Sequence, residues 1–181
     1  MSTKTYGKTE GSGKKTMAEE DRFDIPKLQG FYCFACGTEN PIGLNLHFYH
    51  SRDAVWTETT LEKVHEGWQN MAHGGIISTL LDEVMSWTVI YFKRVFFVTR
   101  KMDVKYIRPV PIGTPLVIKG ELINSEAFPR IEARSEIQDD QGNILAKGNG
   151  EFVVLSKERL SSVSDSLKEE MLALFERLPA L

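Results

Sequence analysis

Residues 65–87 read HEGWQNMAHGGIISTLLDEVMSW, and this stretch decides the fold. After the Gly74-Gly75 pair, apolar residues recur at the three-and-four spacing of a helix face that packs on a core. These residues are Ile76, Ile77, Leu80, Leu81, Val84, Met85 and Thr88. The spacing predicts one long central helix around which the rest of the chain is arranged.

The opposite face of the predicted helix carries small hydroxyl side chains around two carboxylates, Asp82 and Glu83. The hydroxyl side chains are Ser78, Thr79 and Ser86. A solvated helix face usually carries Lys, Arg and Glu in ion pairs four residues apart, and this face does not follow that pattern. It can therefore approach a neighbouring subunit or a ligand closely, and a carboxylate trapped there would be desolvated with a raised pKa.

The glycine pair offers complementary chemistry at the start of the helix. Backbone without Cβ lets a substrate carbonyl approach closely, and the first N–H groups of a helix lack intrahelical acceptors, so an oxyanion fits there. Asp82 lies roughly 10 Å along the axis from Gly75, at ~1.5 Å per residue. If both groups act on one carbonyl carbon, a symmetry mate must complete the site. A plain turn at the glycines and an exposed acidic pair are the alternatives.

Residues 73–75 (HGG) followed by residues 80–83 (LLDE) resemble the HGG-x4-L-x-D-E signature of hotdog-fold acyl-CoA thioesterases. Specifically, the sequence resembles the PaaI-like branch of the 4-hydroxybenzoyl-CoA thioesterase superfamily, over roughly residues 31–155. The resemblance implies an α+β hotdog fold, in which an antiparallel sheet wraps a long central helix. It also implies a homodimer or a dimer of dimers, with each site sharing its carboxylate and its glycine N–H between two chains.

The resemblance also implies roles for single residues in an acyl-CoA thioesterase. Asp82 is the carboxylate that acts as base or nucleophile, because its spacing from His73 matches the motif. Gly75 N–H polarises the thioester carbonyl, and Gly74 is its neighbour in the same catalytic glycine pair. His73 shapes this loop or assists it. Thr99 orients the nucleophile or its water.

The substrate-binding candidates lie in the loop before the helix, on the helix and on the following strand: Trp68, Asn70, Glu83, Arg100, Lys101 and Arg108. The three cations are candidates for the CoA phosphates, and Glu83 is a candidate to tune Asp82. Arg100 breaks the alternation of its strand, so it sits at a strand end or meets a phosphate.

Cys33 and Cys36 are half a zinc site by their spacing. The nearby candidates for further ligands, His47 and His50, are three residues apart on an extended strand and so point to opposite faces. We therefore predict structural thiols, no metal and no cofactor, with a disulfide left open. The CFACG segment, followed by NPIGL at residues 40–44, also resembles the leader of many PaaI-like thioesterases.

The chain divides into a disordered or tag-like tail (1–20), a hotdog domain (21–156) and a C-terminal helical extension (157–181). A two-stranded hairpin is predicted before the central helix, and four strands are predicted after the helix. The predicted strands are 44–49, 54–60, 97–108, 116–123, 130–138 and 144–155, and the predicted terminal helix is 161–178.

The composition of the whole chain argues against nucleic-acid binding and against a membrane span. A net charge of −3 offers no general attraction to nucleic acid, so we expect no nucleic-acid partner. The resemblance to hotdog thioesterases implies an acyl-CoA substrate. No apolar run approaches the ~20 residues of a membrane span. Two cysteines and a start without a signal-peptide pattern predict the cytoplasm.

Two other functions remain open from the sequence. A hotdog hydratase or dehydratase would act on enoyl or hydroxyacyl thioesters, although the HGG and DE pattern argues against that branch. A non-catalytic acyl-CoA-binding module on the same fold would retain the pocket without the chemistry, and the retained Asp82 argues against it.

Overall fold

The computed structural model describes residues 22–124 and 127–179, so the predicted tail at 1–20 lies outside the described residues. The strands are β1 (Phe23–Ile25), β2 (Phe48–Ser51), β3 (Ala54–Thr60), β4 (Glu66–Trp68), β5 (Met71–Ala72), β6 (Phe96–Tyr106), β7 (Pro115–Asn124), β8 (Arg130–Asp139) and β9 (Ile144–Leu155). The helices are α1 (Gly74–Lys93) and α2 (Asp165–Arg177).

Helix α1 has defined signals at both ends. His73 is the N-cap, and its side chain accepts a hydrogen bond from Gly75 N–H. The helix ends at Arg94, which adopts a left-handed conformation with φ 51° and donates its N–H to Ile90 O. Between these ends, the apolar stripe predicted from the sequence is largely buried, with Leu80, Leu81 and Val84 fully inaccessible to solvent.

Seven strands form one antiparallel sheet in the order β1-β2-β3-β7-β8-β9-β6, and β4 pairs with β5 in a separate small ladder. Helix α1 packs across this sheet and approaches it closely at Gly120 on β7. A Cβ at Gly120 would lie 2.4 Å from Thr88 Oγ1 and 2.8 Å from Val84 Cγ1. The glycine therefore permits the helix and the sheet to approach closely. One long helix packed against a wide antiparallel sheet confirms the predicted hotdog architecture.

Arg100 interrupts the alternation of β6 because it is the extra residue of a β-bulge. The pairing register of β6 with β9 shifts between Thr99 and Lys101, and the Arg100 guanidinium forms an ion pair with Glu151 on β9. Bulges redirect the side chains that flank them. The break that the sequence showed at this position is therefore a change of register within the strand, not a strand end.

Helix α2 docks on the core of its own chain. Leu174 is fully buried, Phe175 packs against Phe96, and the Arg94 side chain donates to the carbonyls of Leu178 and Pro179. The helix is shorter than the predicted 161–178, since it begins at the N-cap Ser164.

Three features of the sheet differ from the sequence expectation. Strand β2 begins at Phe48 instead of residue 44. Residues 44–46 pair instead with the leader, the segment before β2 that contains CFACG (33–37), through Leu44 N–H to Phe34 O and Leu46 N–H to Ala35 O. Strand β1 and the β4–β5 ladder were not predicted. Both are too short to show a period-two pattern in a sequence.

Helix α1 is long and apolar enough by composition to pass a simple test for a membrane span. Half of this apolar stretch is buried within the fold, as is usual for the core helix of a globular domain.

Candidate active site

Asp82 lies on the side of α1 that faces β6. Thr99 Oγ1 donates a hydrogen bond to Asp82 Oδ1 at 3.0 Å, so the structure brings together these two predicted site residues. Burial raises the pKa of Asp82 above its ordinary value, and the Thr99 hydrogen bond partly offsets that effect. The site therefore holds a desolvated carboxylate that has one oxygen engaged by a hydroxyl.

The start of α1 places two glycine N–H groups next to His73. His73 Nδ1 accepts from Gly75 N–H at 2.9 Å, so the predicted oxyanion donor already has an acceptor within its own chain. Among the residues that the structure describes, Gly74 N–H has no acceptor. The helix start thus offers Gly74 N–H directly and Gly75 N–H after displacement of the imidazole.

Tyr106 is a site neighbour that the sequence analysis missed. Its hydroxyl lies 2.8 Å from Ser78 Oγ and donates to Gly74 O at 3.2 Å, so it closes over the start of α1. Tyr106 follows Met102 and Val104 at every second position of β6, as an apolar column would, so no sequence signal distinguishes it from a core aromatic.

The outer edge of β6 is open beside this site. Within the part of the chain that the structure describes, β6 ends the seven-stranded sheet and pairs with β9 alone. Its exposed residues include Val98 and Tyr106, with 46% and 54% of their surface accessible. The edge therefore presents a long strand next to Asp82, as expected of a surface that pairs with another strand.

Glu83, although adjacent to Asp82, faces a different part of the molecule. Its Oε1 accepts from Trp87 Nε1 at 3.0 Å and lies 3.8 Å from Cys33 Sγ in the leader. Burial, followed by the charge of Cys33, raises the pKa of Glu83 to about 7. The hydrogen bond from Cys36 lowers the pKa of Cys33 to about 5.

A cavity of about 220 Å³ adjoins Glu83 and is mostly apolar. It lies between the leader, the outer side of α1, the start of β6 and α2. Its walls include Phe31, Cys33, Glu83, Trp87, Phe97 and Met171. The leader and α2 thus cover this side of α1, whereas the side that carries Asp82 faces the open strand.

The predicted loop residues Trp68 and Asn70 lie in and beside the β4–β5 ladder. The Trp68 side chain is 79% exposed. Asn70 adopts φ 62°, and its N–H donates to Glu66 Oε1 at 2.7 Å. Asn70 is therefore a turn residue in a positive-φ position that Asn tolerates better than most side chains. A role for either residue in substrate binding stays a prediction.

The three predicted phosphate-binding cations contact groups of their own chain. Arg100 pairs with Glu151, and Lys101 Nζ lies 2.8 Å from Asp103 Oδ2. The Arg108 guanidinium donates to Ile144 O. Their contact with a CoA phosphate stays a prediction.

The sequence profile of the Thioesterase superfamily matches residues 69–127, which include α1, the Asp82–Thr99 pair and β6. The chain has the hotdog fold. The predicted resemblance to PaaI-like thioesterases is confirmed by this match and by the structural neighbours of the hotdog domain. No curated protein sequence matches the chain.

Three solved structures illustrate the likeness. A thioesterase superfamily protein is 25% identical with a TM-score of 0.59, and the match covers 64% of this chain but only 56% of that protein. A hypothetical thioesterase of Streptococcus pneumoniae TIGR4, solved with coenzyme A, is 22% identical with a TM-score of 0.57, covering 62% and 87%. The PaaI protein of E. coli, from the phenylacetic acid degradation operon, is 15% identical with a TM-score of 0.58, covering 62% and 81%.

Proposed function

We propose that this hotdog protein is an acyl-CoA thioesterase, which hydrolyses an acyl-CoA thioester to the free acid and CoA. The observation that carries the proposal is the Asp82 carboxylate, desolvated on α1 and held by Thr99 Oγ1 at 3.0 Å beside the open strand β6. A carboxylate held in this way can take a proton from water or attack a carbonyl carbon.

The hydrolysis needs one water and no external oxidant or reductant. With Thr99 bound to Oδ1, Oδ2 of Asp82 is directed to accept a proton from water as the water oxygen adds to the thioester carbonyl. The resulting oxyanion collapses, the C–S bond breaks, and the proton returns from Asp82 to the CoA thiolate. In the covalent variant, Asp82 itself attacks the carbonyl carbon, the C–S bond breaks to release the CoA thiolate, and water then hydrolyses the anhydride to the free acid and the Asp82 carboxylate.

The oxyanion donors in this proposal are glycine N–H groups of a second copy of the chain. The α1 helix is continuous from Gly74 to Lys93, so Gly75 and Asp82 of one copy stand about 10 Å apart along the axis. Antiparallel pairing of two β6 edges would bring the second copy's helix start towards Asp82. Gly74 N–H then serves directly, and Gly75 N–H serves once the oxyanion displaces His73.

The assembly that follows is a homodimer, or a dimer of such dimers, in the cytoplasm. The eleven-residue β6 offers a long edge, and joining two such edges satisfies backbone groups that would otherwise be left unpaired. Arg100, Lys101 and Arg108 are the candidates for the CoA phosphates, and each would exchange its present intrachain contact for a phosphate oxygen.

The experiment measures release of free thiol from short-chain, medium-chain and aryl acyl-CoAs by the wild type and by Asp82→Ala. Hydrolysis by the wild type that is absent in Asp82→Ala supports the proposal. Asp140→Asn is the matched control, because Asp140 is an exposed carboxylate in the β8–β9 turn, and we expect it to hydrolyse as the wild type does.

A non-catalytic acyl-CoA-binding module is the second candidate, and one observation favours it. The predicted oxyanion donor, Gly75 N–H, is bound to His73 Nδ1. CoA binding by calorimetry without thiol release on any member of the panel would support that reading over the thioesterase. Adding an enoyl-CoA to the panel tests the hydratase reading, since hydration consumes the double bond without releasing thiol.

A further inference from the structure

The leader contains a tight turn that places two cysteine sulfurs together. Gly37 N–H donates to Cys33 O at 2.9 Å, and Cys36 N–H points to Cys33 Sγ at 3.5 Å. A Cβ at Gly37 would lie 2.5 Å from both Cys33 O and Phe31 O, so only glycine fits there. The shape of this turn therefore depends on Gly37 as well as on the cysteines.

Glu83 brings a carboxylate to the same point from a distant part of the chain. The sulfurs of Cys33 and Cys36 and a carboxylate oxygen of Glu83 all lie within 4.8 Å of one another. Cys33 Sγ and Glu83 Oε1 are 3.8 Å apart. A tetrahedral zinc site, with bonds of about 2.0–2.3 Å, separates its ligand atoms by roughly 3.3–3.8 Å. Small side-chain rotations would bring this group to coordination geometry.

The surroundings of this cluster balance the charge of a divalent ion. Two thiolates and a carboxylate carry three negative charges when all are deprotonated, and zinc supplies two positive charges. Lys27 supplies the third, because its ammonium is fixed beside the turn by hydrogen bonds to Cys36 O at 2.9 Å and Leu46 O at 2.7 Å. Pairing each buried charge with an opposite charge offsets part of the free-energy cost of desolvating it.

We propose that Cys33, Cys36 and Glu83 bind one zinc ion, with a water from the adjoining cavity as the fourth ligand. All three side chains line that cavity, which has room for several waters at about 220 Å³. Two thiolates with one carboxylate in tetrahedral arrangement suit zinc better than magnesium or calcium, which prefer oxygen ligands.

The zinc ion would join the leader to the central helix. Cys33 and Glu83 are 50 residues apart, so one ion would crosslink two segments that are distant in the sequence. The cysteine spacing by itself predicts no metal, because His47 and His50 nearby in the sequence point to opposite faces of a strand, whereas the proposed third ligand comes from α1. The zinc site is independent of the proposed thioesterase chemistry, because Asp82 is not among its ligands.

The first test titrates zinc into the full chain after removal of metal, with the thiols kept reduced by a phosphine. A chromophoric chelator competes for the ion. We expect one equivalent to bind, and we expect the melting temperature to rise by roughly 5–10 °C when free zinc is 100-fold above Kd. A reduced protein that binds no zinc, or that only forms a Cys33–Cys36 disulfide on oxidation, overturns the proposal.

Variants locate the ion. Cys33→Ser, Cys36→Ser and Glu83→Gln should each lose stoichiometric binding and the zinc-dependent rise in melting temperature. Asp82→Asn is the matched control, because it removes the neighbouring carboxylate on the same helix and should still bind one equivalent. Undiminished binding by the three ligand variants would place the ion elsewhere and overturn the assignment.

X-ray absorption on zinc-loaded wild type does not depend on the folding of any variant. The expected first shell has two sulfur ligands at about 2.3 Å and oxygen ligands at about 2.0–2.2 Å. A shell of nitrogen and oxygen alone would mean that zinc binds surface histidines or carboxylates, and would overturn the proposal even if the titration shows one equivalent.

Discussion

Asp82 and Glu83 are neighbours in the sequence, yet α1 turns them to two different regions. Successive residues of a helix point about 100° apart. Asp82 faces Thr99 and the open edge of β6, whereas Glu83 faces Trp87 and the leader under the cover of α2. Burial raises the pKa of both carboxyls. Desolvation alone therefore does not distinguish the proposed catalytic carboxylate from its neighbour, whereas the position of Asp82 beside the open edge of β6 does.

The contrast between the two regions also appears in their partners. Asp82 has one neutral hydroxyl partner, which leaves an oxygen available for chemistry. Glu83 lies between an indole N–H and a thiol, in a region where Trp87 and Cys36 are only 5% and 6% exposed. We expect substitutions on the open side to change the rate of hydrolysis, and substitutions on the covered side to change stability.

The largest expected effect is that of Asp82→Asn on hydrolysis. The amide keeps the shape and can still accept from Thr99, but it cannot take a proton from water, so kcat should fall by about 10²–10⁴-fold. The melting temperature should not fall, because the substitution removes a charged group whose burial costs free energy in the folded state. Stopped-flow thiol release and thermal unfolding measure the two effects. A variant that hydrolyses normally but unfolds early would make Asp82 a structural residue.

The next largest effect on hydrolysis is expected for Thr99→Val. It removes the hydrogen bond to Asp82 while keeping the shape of the side chain, and hydrogen bonds to charged groups contribute about 1.5–3 kcal/mol. We expect kcat to fall by roughly 10–100-fold and the free energy of unfolding to fall by at most the contribution of that hydrogen bond, measured by steady-state kinetics and urea unfolding. Thr60→Val, at the exposed end of β3, is the matched control. Equal rates for both variants would remove Thr99 from the site.

Trp87→Phe tests the covered region. The change removes the indole N–H that Glu83 accepts at 3.0 Å and leaves a buried carboxylate with one partner fewer. We expect the free energy of unfolding to fall by about 1–3 kcal/mol. Urea unfolding of metal-free protein measures the effect. An unchanged free energy of unfolding would show that Glu83 does not depend on this hydrogen bond.

The smallest expected effect is that of Tyr106→Phe, at the start of α1. The change removes the hydroxyl that contacts Ser78 Oγ and Gly74 O, and a neutral hydrogen bond contributes about 0.5–1.5 kcal/mol. Hydrolysis should slow by up to about 10-fold, because the glycine N–H groups are positioned less firmly. A rate equal to that of the wild type would limit Tyr106 to packing.

The regular elements were largely predictable from local pattern. Strand β9 has the predicted bounds of 144–155, and α1 begins at the glycine pair that the sequence marked. The period of apolar residues is a local property, so it can be read without knowledge of the fold. The bulge at Arg100 was visible only as a break, because the pairing register depends on Glu151 and its neighbours on another strand.

The sequence by itself determined the central helix, the apolar stripe that it buries and the order of most strands, because these follow from local periodicity. It also marked Asp82 and Thr99 through their likeness to a known motif. Only the tertiary structure decided that Asp82 faces an open strand and Glu83 the leader cysteines. The reason is that contacts between residues 17 or 50 positions apart depend on how helix, sheet and leader pack together, and no short-range pattern records that packing.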